Sequence, residues 1–264
     1  MTHFRLLILA LFFSLLMVSS LQAGSSQAEG EAYYDADTII RFSKRVEKSL
    51  AQNGARVAII SRVGRPRKHL PEGVNFTHTA LAVYSKITTS DGREVPGYAV
   101  YNLYQKFGQP DVSHLVQDYP VDFFAGVQVL EAGVIIPAPD LQRRLLEVIT
   151  SGAYKDFHNP NYSVIANPYT LDLQNCTEHL LDVLFSAIYN STDIQQIKAN
   201  QKAYFKAQPV NVNPIKLALG SLFVKDVSTS DHPGAPETTT FTTISKFLEG
   251  FGLTSKIYVL TESA

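Results

Sequence analysis

The chain of 264 residues is short of cysteine, tryptophan and net charge. It has one cysteine, Cys176, so no disulfide framework and no multi-cysteine zinc site can form within it. It has no tryptophan, and 15 phenylalanines and 13 tyrosines supply the aromatic bulk of a core instead. Lys and Arg number 23 against 24 Asp and Glu, which excludes the broad basic surface of a nucleic-acid binder. Charged residues are 18% and apolar residues 45%, values of neither a disordered acidic tail nor a multi-span membrane protein. After the first two dozen residues no run is long and apolar enough to cross a bilayer.

Residues 1–23 are the exception. Arg5 precedes an apolar run from Leu6 to Val18, broken only by Ser14, and small and polar residues follow up to Ala23. This is the layout of a secretory signal peptide cleaved after Ala23, and the run is short for a membrane anchor of about 20 residues. Cleavage would leave residues 24–264 as one domain, in the periplasm or secreted, with no transmembrane segment. It would also place a lone thiol in an oxidising compartment, where structural cysteines normally pair.

Along the mature chain, Ile39, Phe42, Val46 and Leu50 recur at helical spacing, with Asp37 as a cap and Gly54 at the stop. Arg56–Arg62 reads as a strand, and 64–75 as a loop rich in Gly, Pro and Arg. Thr77–Ile87 and Tyr98–Tyr104 are two further strands about a Ser90-Asp91-Gly92 turn, which favours an antiparallel meander. Asp118–Phe124 suits a short helix or irregular segment, Gly126–Ile136 a strand, and the stretch from Pro137 to Gly152 a helix. Tyr154–Tyr169 is a loop, Asn175–Tyr189 and Ile194–Phe205 are helical, Asn211–Pro214 is a break and Val227–Glu237 is a polar loop. A helix near 243–249 and a strand near 256–260 close the chain. The fold class is α+β, an antiparallel sheet packed against helices.

Cys176 falls where a loop meets a helix, and the free N–H groups and dipole of a helix start favour a thiolate. A buried structural cysteine is the other reading of the same residue. A nucleophilic thiol needs a base, and His78, at the head of a strand beside small residues Ala80 and Ala82, suits that role. Asn102 shares a face with Tyr98, Val100 and Tyr104 on the next strand and is placed to orient His78 by accepting its Nδ1–H. Gln174 or Asn175 could add an oxyanion donor beside the Cys176 N–H, although Asn175 equally suits helix capping. His179, one turn beyond Cys176, reads as an exposed helix residue that could also tune the thiol. Arg65, Arg67 and Lys68 gather positive charge ahead of His78 and could hold a substrate carboxylate or phosphate, or lie solvated. Asp111, His114, Asp118 and Asp122 fit no standard metal spacing and read as surface or capping groups, so no metal and no cofactor are expected.

A strand histidine, a polar residue on the next strand and then Asn-Cys at a helix start resemble circularly permuted papain-like proteins. Among these are the permuted NlpC-type peptidases and the lecithin:retinol acyltransferase group. Asn175-Cys176-Thr177-Glu178-His179 is similar to the Asn-Cys-Glu-His motif of that acyltransferase group with one residue added, so Glu178 and His179 are not carried over as equivalents. The segments 42–47 and 54–64, Thr77-His78 and 174–176 together resemble a secreted bacterial family catalogued as a domain of unknown function. The resemblance implies a circularly permuted papain-like fold and a periplasmic setting. The expected activity is a cysteine hydrolase of amidase or peptidase type, with Cys176, His78 and Asn102 as its triad. Its partner would be a peptide or acyl substrate, cell-wall peptide among them. A non-catalytic peptide- or lipid-binding module and an acyltransferase or thioesterase are the rival readings, and no oligomeric state is indicated.

Overall fold

The computed structural model describes residues 32–210 and 227–262; the expected signal segment and the Asn211–Pro214 break lie outside the described residues. The first helix, α1 (Ala36–Gln52), buries Ile39, Phe42, Val46 and Leu50, as their spacing requires. Its cap is Asp35 rather than Asp37: the Asp35 carboxylate accepts the Thr38 N–H at 2.7 Å, and Asp37 lies in the first turn. The helix ends before Gly54, whose φ of +66° is the left-handed conformation that favours glycine.

Six strands follow: β1 (Val57–Val63), β2 (His78–Thr88), β3 (Glu94–Lys106), β4 (Gln109–Asp118), β5 (Val129–Pro137) and, near the C-terminus, β8 (Thr254–Thr261). They form one antiparallel sheet in the order β4-β3-β2-β1-β5-β8. The meander expected from the short turns is present: β1, β2 and β3 pair in chain order, and β4 extends it. Strand β4 was not expected, because Gln109–Asp118 has no clean apolar alternation; the tight turn at Phe107-Gly108 and pairing to β3 create it. Two short strands, β6 (Gln208–Pro209) and β7 (Glu237–Thr238), pair separately.

Helices cover both faces of the sheet. On one side α1 and α2 (Pro120–Ala125) enclose a core with Ala58, Ile60, Ala80, Ala82, Val100, Phe123 and Phe124. On the other, α3 (Pro139–Ser151), α4 (Ala153–Asp156), α5 (Cys176–Tyr189) and α7 (Phe241–Gly250) meet Val57, Ile59, Leu81, Val83 and Ile135. The helix α6 (Ile194–Tyr204) packs outside α5. The central strand β1 is buried along its whole length, which is why it reads as a continuous apolar run and not as an alternating one. Each fully buried aliphatic or aromatic side chain in these layers contributes about 1.5–3 kcal/mol. The result is the α+β class, a single sheet with a hydrophobic core on each face. Among the described residues, no helix is long and apolar enough to cross a membrane.

Candidate functional site

Strand β2 pairs with β1 down to Arg62↔His78, but its pairing with β3 runs only from Leu81↔Tyr101 to Thr88↔Glu94. The two strands part at His78–Ala80, and the N-terminus of α5 meets the sheet at this opening. Asn175 caps α5, its side-chain oxygen accepting the Thr177 N–H at 3.1 Å and the Glu178 N–H at 2.9 Å. Cys176 is the first residue of the helix and is buried. Burial pushes its thiol up to about 11, opposed by the Thr79 and Thr177 N–H groups, the Arg62 guanidinium and its own N–H. The resting thiol is therefore protonated, whereas the helix-start position by itself had implied a lowered value. Desolvation outweighs the helix dipole here because the sulfur is walled in.

The Thr79 N–H that lowers the thiol belongs to the peptide following His78, and Thr79 and Cys176 line the same small cavity, which brings the thiol close to the histidine backbone. The His78 ring lies towards α2, stacked on Tyr104 with centroids 4.9 Å apart and 5.5 Å from the Phe123 ring. Its Nε2 is 3.0 Å from the Asn102 side-chain oxygen. The expected pairing is present, but through Nε2 and not Nδ1. Asn102 in turn donates to Asp118 Oδ1 at 2.7 Å, and the Tyr104 hydroxyl donates to Asp118 Oδ2 at 2.9 Å. Because Asp118 claims the Asn102 amide N–H, the Asn102 oxygen must face His78. That assigns the ring proton to Nε2 and a lone pair to Nδ1, which is buried and has no hydrogen-bond partner. No hydrogen bond joins Nδ1 to the thiol in this resting geometry.

Arg62 is buried in the same layer, its guanidinium 5.6 Å from the Tyr104 ring centre and 5.2 Å from that of Phe123, and it donates to the Phe123 carbonyl. Burial, and then the Arg62 charge, hold His78 well below the ordinary histidine value, while the bond to Asn102 opposes them. Burial raises Asp118 to about 7, against the hydrogen bond from Tyr104. Asp118 was expected at the surface. It is buried because its position opposite Val100 turns it to the α1/α2 face, beneath α2. Asp122 does act as a cap, accepting the Tyr119 N–H at 3.2 Å, and Asp111 is exposed.

Near Cys176 the Gln174 amide is tied up elsewhere, Asn175 takes the capping role of its two expected ones, and His179 is buried. The Gln174 side chain donates to the Phe157 carbonyl at 2.9 Å and to Asp182 at 3.1 Å, and accepts the Asn159 N–H at 2.9 Å. Asn175 donates to the Val164 carbonyl and to Thr238 Oγ1, both at 3.2 Å, while its oxygen caps the helix. Both amides are committed to holding the loop and helix, which leaves backbone N–H groups as the donors facing Sγ. His179 is buried and not exposed: it bonds the Tyr154 carbonyl at 2.9 Å, and burial lowers it to about 4. Glu178 and Asp182, one turn apart on α5, bracket the buried Lys198 of α6 at 2.9 and 2.8 Å. The sequence carried a signal for this triad in the i, i+4 acidic pair on an otherwise apolar helix.

The basic loop is partly neutralised. Arg67 is paired with Glu131 and donates to the Asn75 carbonyl, and Lys68 is exposed. Arg65, at the start of the same loop, is half-buried. Among the described residues no group of three His, Cys, Asp or Glu is placed to hold a metal ion.

Residues 49–248 match the family described as an uncharacterized protein conserved in bacteria (DUF2145), and the chain belongs to that family. No curated protein and no solved structure matches it.

Proposed function

We propose that this protein is a thiol hydrolase acting on amide or related acyl bonds in the bacterial cell envelope, with a circularly permuted papain-like site. The observation that carries the reading is the His78–Asn102 bond, which leaves Nδ1 as a buried, unpartnered base on the residue whose following peptide acts on Cys176 Sγ. Cys176 attacks the substrate carbonyl as its proton passes to His78 Nδ1, and the leaving group takes that proton. Asn102, held by Asp118, keeps the ring oriented and carries the Nε2–H through the cycle. The Cys176 N–H serves the oxyanion. Water then releases the acid and restores the thiol. The neutral resting pair favours proton transfer during attack over a preformed thiolate–imidazolium pair. The envelope setting rests on the signal-like residues 1–23, and cell-wall peptides are the amide substrates that compartment offers.

The test is trapping of an acyl adduct on Cys176 by mass spectrometry after exposure to activated esters. Adduct formation should fall by about 10²–10⁴-fold in His78→Ala. Absence of any adduct in the unaltered protein would overturn the reading. A second reading, a peptide-binding module that keeps the fold, is favoured by one observation, the burial that raises the thiol to about 11. It predicts that Cys176→Ser preserves full biological activity.

A further inference from the structure

On the α5 side of the sheet, a small cavity adjoins Cys176. Its walls include Ala80, Leu81, Tyr101, Leu103, Tyr154 and Leu180. Five of these six are buried, Tyr101 is half-buried, and none carries a charge. Tyr101 and Tyr154 meet edge to face with centroids 5.6 Å apart, which closes one side. The free volume is about 10 Å³, the space of about one water molecule. Leu180 lies one turn along α5 from Cys176, and Leu81 lies two residues beyond Thr79, so the helix and strand that position the sulfur also build the cavity walls.

The chemistry of the site gives that volume a meaning. When Cys176 is acylated, the Sγ–H bond and the carbonyl–leaving-group bond break, and an Sγ–carbonyl bond forms. The thiol proton leaves with the displaced group. The first carbon beyond the carbonyl then has to lie beside Sγ, and the space beside Sγ on this side is the cavity. We propose that the cavity is the acyl-group subsite and that it admits a group of about one methyl in size, as in an acetyl group, while excluding long hydrocarbon chains. This inference rests on the thiol-hydrolase reading. Within that reading it separates a short-acyl hydrolase from a lipid acyltransferase. Close-packed walls reject added methylenes because rotamers and backbone must shift to admit them.

The experiment uses the unaltered mature chain with acetyl, butyryl and octanoyl p-nitrophenyl esters. The rate of adduct formation on Cys176 is normalised for each ester to its rate with free cysteine. Acetyl should exceed octanoyl by about tenfold or more. Tyr101→Ala, at the half-buried side of the cavity, should narrow that ratio by about tenfold. Equal or faster acylation by octanoyl would overturn the subsite assignment while leaving the thiol chemistry standing, and so would an unchanged ratio in Tyr101→Ala. If the variant does not fold, the chain-length profile of the unaltered protein decides alone. Failure of every ester to label Cys176 would remove the hydrolase reading, and this subsite with it.

Discussion

His78 and Asn102 meet at 3.0 Å through Nε2 and the amide oxygen, both side chains buried, where β2 and β3 have stopped pairing. The bond is both a stability element and an orienting device. Asn102→Ala strands the His78 Nε2–H and the Asp118 carboxylate without their partner. It should cost about 1–3 kcal/mol of stability in urea unfolding. Because the ring loses its fixed tautomer, acylation of Cys176 should fall as well, measured as the initial rate with the acetyl ester.

Asp118 should make the fold less stable as pH rises. Its folded value of about 7 lies above its ordinary 3.8, so the folded protein holds the proton more tightly than the unfolded chain. Its favourable contribution is complete below about 4 and is lost as pH rises through about 7. Asp118→Asn keeps the contacts to Asn102 and Tyr104 and cannot ionise. Relative to the unaltered protein, the variant should gain on the order of 2–4 kcal/mol between pH 4 and pH 8. Urea midpoints at several pH values check this, and a flat difference would contradict the burial argument. His78 and His179, both lowered, act in the opposite sense in both proteins and drop out of the difference.

The resting thiol should be sluggish toward a small alkylating agent. With Cys176 raised to about 11 from an ordinary 9.0, its thiolate population at pH 8 is about 100-fold below that of a free thiol. Iodoacetamide labelling followed by mass should therefore lag free cysteine by about that factor. Labelling faster than free cysteine at pH 6 would show instead a preformed thiolate.

The charge triad under α5 should behave as a buried ion pair does. Lys198→Met leaves Glu178 and Asp182 buried without their cation, at a cost of about 3–5 kcal/mol. Adding Glu178→Gln and Asp182→Asn to that variant should recover most of the loss, since the penalty belongs to the uncompensated carboxylates. Chemical denaturation of the single and triple variants distinguishes this from loss of packing alone.

Gly133 on β5 has no room for a side chain. An added Cβ would stand 2.8 Å from the Phe76 ring tip and 2.9 Å from that of Phe241, two rings already packed against each other at 4.8 Å. Gly133→Ala should destabilise by about 1–3 kcal/mol, read as a lowered thermal midpoint.

Much of the architecture was legible in the chain because it follows from local periodicity. Helix α1, the run that became β1, the turn at Ser90-Asp91-Gly92 and the two helices 176–189 and 194–204 all follow patterns that a few neighbouring residues set. Strand β4 was not legible, because Gln109–Asp118 becomes a strand by pairing with β3 and not by its own alternation. The site divides the same way. The pairing of His78 with Asn102 could be anticipated from alternation, but which end of the Asn102 amide faces the ring depends on Asp118, sixteen residues further along.

What the sequence determined by itself is the chemical inventory: one thiol at a helix start, a histidine heading a strand, an amide on the next strand and a nearly neutral chain. Only the tertiary structure decided how those groups stand. Burial turned the expected low thiol upward, sealed His179 in the core, committed Gln174 and Asn175 to holding the loop and helix, and left a methyl-sized space beside the sulfur. The reason is physical. Residue type and spacing set which groups can react, whereas desolvation, hydrogen-bond commitment and free volume depend on contacts between segments far apart in the chain.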